Sequence, residues 1–156
     1  MDFWSGLLQP VKNRNTPDKG FMIFQGYIQG TSGIASTAIK GKVPYLILHV
    51  TSACNARCRM CFNWDGMQER RTPHGISVEN LELLAASMKP LPQLTCSGGE
   101  PLLREDLPNI LAAFYRNANT RFFTVPTNSL LPDRVAALIE RFTQDCPDGF
   151  LNICLP

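Results

Sequence analysis

Three cysteines crowd into eight residues at Cys54-Asn55-Ala56-Arg57-Cys58-Arg59-Met60-Cys61, separated by three and then two residues. Thiolates are soft ligands, and three in one loop call for a soft metal ion or a metal cluster. The chain has six cysteines, the others being Cys96, Cys146 and Cys154. A disulfide scaffold spreads its cysteines through a small secreted domain, so metal or cluster binding accounts for the trio better. Zinc needs a fourth ligand, for which His74 and Cys96 are the candidates. A cubane iron–sulfur cluster normally takes four cysteines. With three, one iron keeps an open position where a small molecule binds, by the logic that separates catalytic from structural zinc.

Two further stretches have unusual composition. Ser97-Gly98-Gly99-Glu100-Pro101 holds paired glycines, which let a backbone approach a ligand closely and offer unhindered N–H and C=O groups. Alone, such a pair reads as a tight strand-to-helix turn. Pro126-Thr127-Asn128-Ser129 is the other.

The elements that must position these residues follow from periodicity. The run 45–51, YLILHVT, is short and nearly continuously apolar, as in a strand buried on both faces of a parallel sheet. Residues 77–89 place Val78, Leu81, Leu84, Ala85 and Met88 at helical spacing behind a Ser77 cap. Residues 93–98 form a second strand, and 105–118 a second helix with acids in its first turn and Pro108 still early enough to be tolerated. Residues 121–127 form a third strand, 132–144 a third helix opened by Pro132, and 150–156 a fourth strand. This alternation calls for a parallel α/β sheet with right-handed crossovers, an open half-barrel. A last strand with no covering helix reads as the N-terminal portion of something longer. In such sheets ligands gather beyond the C-terminal strand ends. All three unusual stretches fall there.

The 156 residues suit one domain, here 44–156, preceded by an arm at 1–43 with a short hairpin around Phe21 to Ile28. With 44% hydrophobic and 18% charged residues the chain can bury a core. A net charge of +2 gives no footing for nucleic acid or an acidic membrane. No apolar run of about 18 residues exists to span a bilayer, and the acid at position 2 breaks the pattern of a secretory signal. The expected location is the cytoplasm, where thiols stay reduced.

The cysteine loop, the Gly-Gly-Glu-Pro after the second strand and TVPTNSLL after the third closely resemble the radical S-adenosylmethionine (radical SAM) enzymes. The match covers roughly residues 43–156 and is nearest the branch of molybdopterin-precursor synthases and peptide-modifying maturases. The resemblance implies the N-terminal part of a TIM-like (βα)6 barrel. It implies that Cys54, Cys58 and Cys61 ligate a [4Fe–4S] cluster whose fourth iron is chelated by S-adenosylmethionine. Gly98, Gly99 and Glu100 would face the methionine amino group, with Pro101 shaping the turn, and Thr127 and Asn128 would stand near the cofactor. Met60 takes the place of a commonly aromatic residue beside the adenine, and Phe62 follows the third cysteine. Ser129 replaces a commoner glycine, and Ile153-Cys154-Leu155-Pro156 replaces a polar Ser-Leu-Asp-Gly. The implied chemistry is a 5′-deoxyadenosyl radical abstracting hydrogen from a peptide or small-molecule substrate, with flavodoxin or ferredoxin as electron donor. A non-catalytic iron–sulfur fragment and a zinc-binding module are the alternatives.

For the remaining residues the plain readings hold. Cys96 and Cys146 read as buried small hydrophobes, and His49 as a core histidine. Cys154 reads equally as buried or as part of the cofactor-facing turn. His74 and residues 65–71 read as solvated loop.

Overall fold

The computed structural model describes Ala35, residues 39–40, 42–61 and 75–155. The expected hairpin at 21–28, Phe62, the 65–71 loop and His74 lie outside these residues. Among the described residues from Tyr45 onward, four strands and three helices alternate: β1 Tyr45–Thr51, α1 Val78–Ser87, β2 Gln93–Gly98, α2 Leu107–Asn117, β3 Phe122–Pro126, α3 Pro132–Asp145 and β4 Phe150–Cys154. A short 3₁₀ turn, Pro101–Leu103, stands between β2 and α2. The strands form one sheet in the order β1-β2-β3-β4, and every pairing is parallel. This is the α/β half-barrel expected from the alternation.

Local chemistry explains most boundaries. The Ser77 hydroxyl accepts the Asn80 N–H at 3.4 Å and caps α1. Pro132 opens α3 and Pro108 lies in the first turn of α2, where a missing N–H costs nothing. One expectation fails: α2 starts at Leu107, so Glu105 and Asp106 precede it and its first turn holds no acid. Asp106 makes no side-chain cap; its carboxylate instead accepts the Arg104 Nε–H at 2.6 Å. An available guanidinium outcompetes the helix N-terminus.

The core lies between the sheet and the helices. Leu48, Val50, Leu94, Cys96, Phe123 and Val125 point to the helices and pack with Leu81, Ala85, Ile110, Leu111, Phe114, Leu138 and Phe142. Phe123 and Phe142 meet edge to face, with ring centroids 5.3 Å apart. The other face of the sheet is exposed at its two edge strands. It exposes Tyr45, Ile47 and His49 on β1 and Phe150, Asn152 and Cys154 on β4. Thus β1, expected to be buried on both faces, is buried on one, because among the described residues the helices α1 to α3 cover one side only. His49 accordingly stands exposed on the other side and is no core histidine. Cys96 and Cys146 are buried as expected, while Cys154 is exposed. Among the described residues no helix is long and apolar enough to cross a membrane.

Candidate functional site

Parallel pairing sends every strand's C-terminal end to one rim. There the cysteine loop leaves β1, Gly98–Pro101 leaves β2 and Thr127–Ser129 leaves β3. The register places Thr51 opposite Gly98 and Pro126 opposite Cys154.

The paired glycines answer a demand made by the chain itself. Gly98 has φ +125°, and a Cβ there would lie 2.2 Å from the Thr51 carbonyl oxygen. At Gly99 a Cβ would lie 2.1 Å from the Ala53 oxygen. The close approach lets Gly99 N–H donate to Thr51 O and Glu100 N–H to Ala53 O, both at 2.8 Å. The turn after β2 is therefore stitched onto the root of the cysteine loop. With these two N–H groups engaged, carbonyl oxygens are what the turn can offer a ligand's amino group.

Glu100 is 1% exposed. Its Oε1 accepts the Leu102 N–H at 3.1 Å and the Thr127 hydroxyl at 2.9 Å, and its Oε2 accepts the Asn128 N–H at 2.7 Å. The carboxylate thus joins the β2 turn to the β3 turn and is directed inward. Pro101, also buried, opens the 3₁₀ turn that lets Leu102 reach back. Thr127 is buried, and its N–H donates to Cys154 O at 3.0 Å, tying in β4. Ser129 has φ +63°, in the left-handed region, a conformation that glycine adopts without strain.

Asn128 links these turns to the cysteines. Its Nδ2 donates to Asn55 Oδ1 at 2.7 Å and lies 3.8 Å from Cys54 Sγ, while its Oδ1 accepts the Leu130 N–H at 3.0 Å. Cys54 Sγ also accepts the Ala56 N–H at 3.4 Å. Cys61 N–H donates to Cys58 O at 3.1 Å, which folds the last two cysteines around a turn at Arg59-Met60. At its tip Met60 is 94% exposed.

All three thiols are free of disulfides. Cys58 is exposed, and Cys54 and Cys61 are half-buried. Among the described residues no three His, Cys, Asp or Glu side chains gather as a metal-ion site. A cluster asks for something else, one thiolate for each of three separate irons. Accessible thiols with N–H donors aimed at one sulfur suit such ligation, since hydrogen bonds to sulfur tune a cluster. Cys96 does not suit the role of a fourth ligand. It lies on the helix side of β2, and burial pushes its thiol up to about 12.

The structure therefore brings Cys54, Gly98, Gly99, Glu100, Thr127 and Asn128 into one hydrogen-bonded rim, while Cys58 and Met60 project from it. Sequence reasoning missed Asn55 and Arg104. Asn55 directly follows a candidate ligand, which is a usable signal. Arg104 carried a weaker one, a lone cation just after an apolar turn.

A family-wide sequence pattern described as "Radical SAM superfamily" matches residues 48–147. Among curated proteins, the chain is similar to a GTP 3',8-cyclase of Stenotrophomonas maltophilia (strain K279a), 37% identical over 95 residues, or 59% of this chain and 29% of the relative. It is also similar to the GTP 3',8-cyclase of Pelotomaculum thermopropionicum, 33% identical over 104 residues, covering 64% and 31%. That of Desulforamulus reducens is 29% identical over 124 residues, covering 71% and 38%. The chain thus spans about a third of the length of these relatives. The match over residues 48–147 takes in the cysteine loop and both turns that complete the rim, and on it the chain belongs to the radical SAM superfamily.

Proposed function

We propose that the protein binds a [4Fe–4S] cluster through Cys54, Cys58 and Cys61, binds S-adenosylmethionine beside it, and works as a radical SAM enzyme. When bound, the pair supplies a 5′-deoxyadenosyl radical that abstracts hydrogen from a substrate. The chain's own residues bind and orient. The Gly98–Pro101 turn faces the methionine end of the cofactor with its carbonyl oxygens. Glu100 and Thr127 hold that turn in place from within, and the Met60 thioether packs on the adenine. Asn128 fixes the first cysteine against the β3 turn. An electron donor of the flavodoxin or ferredoxin kind supplies the reducing equivalent. A cytoplasmic location, where thiols stay reduced, is part of this reading.

One observation carries this reading. Three free thiols with three- and two-residue gaps stand on the same rim as Gly98–Pro101 and Thr127-Asn128, and hydrogen bonds join all three segments. Anaerobic reconstitution with iron and sulfide is the test. A brown protein with about four irons and four sulfides per chain is expected, and Cys58→Ala should abolish the colour. Adding dithionite and S-adenosylmethionine should then release 5′-deoxyadenosine, read by mass spectrometry. A colourless protein that takes up zinc instead would overturn the reading. A stable cluster with no 5′-deoxyadenosine would reduce it to iron–sulfur binding.

A further inference from the structure

We infer that Arg104 is the positioning residue that closes the base of the cysteine loop and so fixes where Cys54, Cys58 and Cys61 stand on the sheet. The inference rests on the cluster reading above. The chain leaves the sheet at the end of β1 and returns at Ile76, just before the Ser77 cap of α1. A single guanidinium binds both ends of this excursion. Arg104 Nη1 donates to Val50 O at 2.8 Å, and Nη2 donates to Ile76 O at 2.6 Å. Its Nε and Nη2 also donate to the two Asp106 carboxylate oxygens at 2.6 and 3.1 Å.

Each part of this arrangement is built for the purpose. The Arg104 side chain is 2% exposed. A cation so buried persists only with a counter-charge and satisfied donors. Asp106 gives the first, and with the two carbonyls it gives the second. The planar fork of five N–H donors lets one residue hold three partners at fixed angles, which an ammonium cannot do. The returning chain also passes close by. A Cβ at Gly75 would lie 2.8 Å from Val50 O and 3.2 Å from Arg104 Nη1, so glycine is what lets the two ends meet under the guanidinium. Val50 precedes Cys54 by four residues. Any slack at this carbonyl passes into the loop that carries all three thiols.

Arg104→Met, Arg104→Lys and Phe142→Leu test the inference in the full chain. Phe142 lies in the α3–β3 core and serves as a control of matched thermal destabilisation. In the reconstituted protein the readouts are the bleaching rate in a chelator and the EPR spectrum of the reduced cluster with and without S-adenosylmethionine. In the apo protein the readout is hydrogen exchange over residues 51–61. Arg104→Met should bleach at least ten times faster than wild type, with a broadened spectrum and tenfold faster exchange over 51–61. Arg104→Lys should recover part of each, and Phe142→Leu should match wild type in all three. Equal rates in Arg104→Met and Phe142→Leu at equal loss of Tm would overturn the inference. If Arg104→Met does not fold, Asp106→Asn, which removes the counter-charge of the buried guanidinium, carries the same comparison. If wild type takes up no cluster, the function reading fails separately, and exchange over 51–61 still decides on Arg104.

Discussion

Glu100→Gln changes almost no volume, so its effect isolates the hydrogen bonding of a buried carboxylate. Three donors converge on the two oxygens of Glu100. A glutamine brings one acceptor oxygen and one NH2 group. With oxygen on the Oε1 side, Leu102 N–H and the Thr127 hydroxyl stay bonded, but Asn128 N–H faces two hydrogens. With the amide turned over, Asn128 is bonded and Leu102 N–H is opposed, while the Thr127 hydroxyl can rotate to accept. Either way one main-chain N–H, buried at Leu102 or partly buried at Asn128, loses its partner, at a cost of about 1–3 kcal/mol. For a domain of this size that corresponds to a fall in Tm of roughly 4–12 °C. Urea unfolding and calorimetry of the apo protein measure it directly. Glu105→Gln is the control. Its side chain is 86% exposed and lies 3.4 Å from Arg134, so its change should stay within about 0.5 kcal/mol. A double-mutant cycle with Thr127→Val should give a coupling of about 0.5–3 kcal/mol, because the two side chains share one hydrogen bond. Were Glu100→Gln as mild as Glu105→Gln, the carboxylate would not be the tie between β2 and β3 described above.

Three further outcomes are expected. Gly99→Ala places a methyl 2.1 Å from a backbone oxygen, so the root of the cysteine loop must shift; iron content after reconstitution should fall by more than half, and full occupancy would contradict the stitching. The Cys96 thiol is pushed by burial from 9.0 to about 12, so the unfolded chain loses this proton first as pH rises. Stability should therefore be unaffected by it below pH 9 and fall by up to about 1.4 kcal/mol per unit between pH 9 and 12. Cys96→Ala should flatten that alkaline slope in urea titrations, and an unchanged slope would assign it to other groups. Met60→Ala should leave apo stability within about 0.5 kcal/mol, since the side chain is 94% exposed, yet weaken S-adenosylmethionine binding several-fold by calorimetry of the cluster-loaded protein. Unchanged affinity would remove Met60 from the adenine contact.

The helices were legible because their apolar residues recur at helical spacing and their N-terminal ends carry Ser77, Pro108 and Pro132 in positions with local physical meaning. The three rim stretches were legible because each is contiguous. The exposed face of β1 was not, because Tyr45 and Ile47 are apolar yet exposed and hide the alternation of the strand. The glycine pair announced a close approach without naming its other side, which proved to be Thr51 and Ala53. Side-chain ties across long separations left no local trace. Glu100 meets residues 27 and 28 positions away, and Arg104 reaches back 54. Asp106 shows the same limit from the other direction. Its place before α2 suits a cap, and only the fold brings the guanidinium that takes it.

Those long ties explain how a rim of loops can be ordered by the chain alone. Strand ends diverge as a twisted sheet opens, so loops leaving them have no ladder to hold their spacing. Here each gap is bridged by bonds that need a particular residue. Gly98 and Gly99 bring β2 against the exit of β1, Glu100 joins the β2 turn to the β3 turn, and the Thr127 N–H reaches β4. Arg104 ties together the two ends of the excursion that carries the cysteines. Glu100 and Arg104 stand on either side of the same 3₁₀ turn and solve burial differently. Glu100 takes three neutral donors, whereas Arg104 takes a counter-ion and two carbonyls. Among the described residues no buried side-chain nitrogen or oxygen lacks a partner, so neither group is left to be rescued by a ligand. The rim is then preorganised, and a cofactor arriving there need not supply the energy of ordering it. It follows that changes at Glu100 or Arg104 should separate order at the rim from order in the core. Hydrogen exchange should speed up over 51–61 and 98–103, while β2 and α2 stay protected.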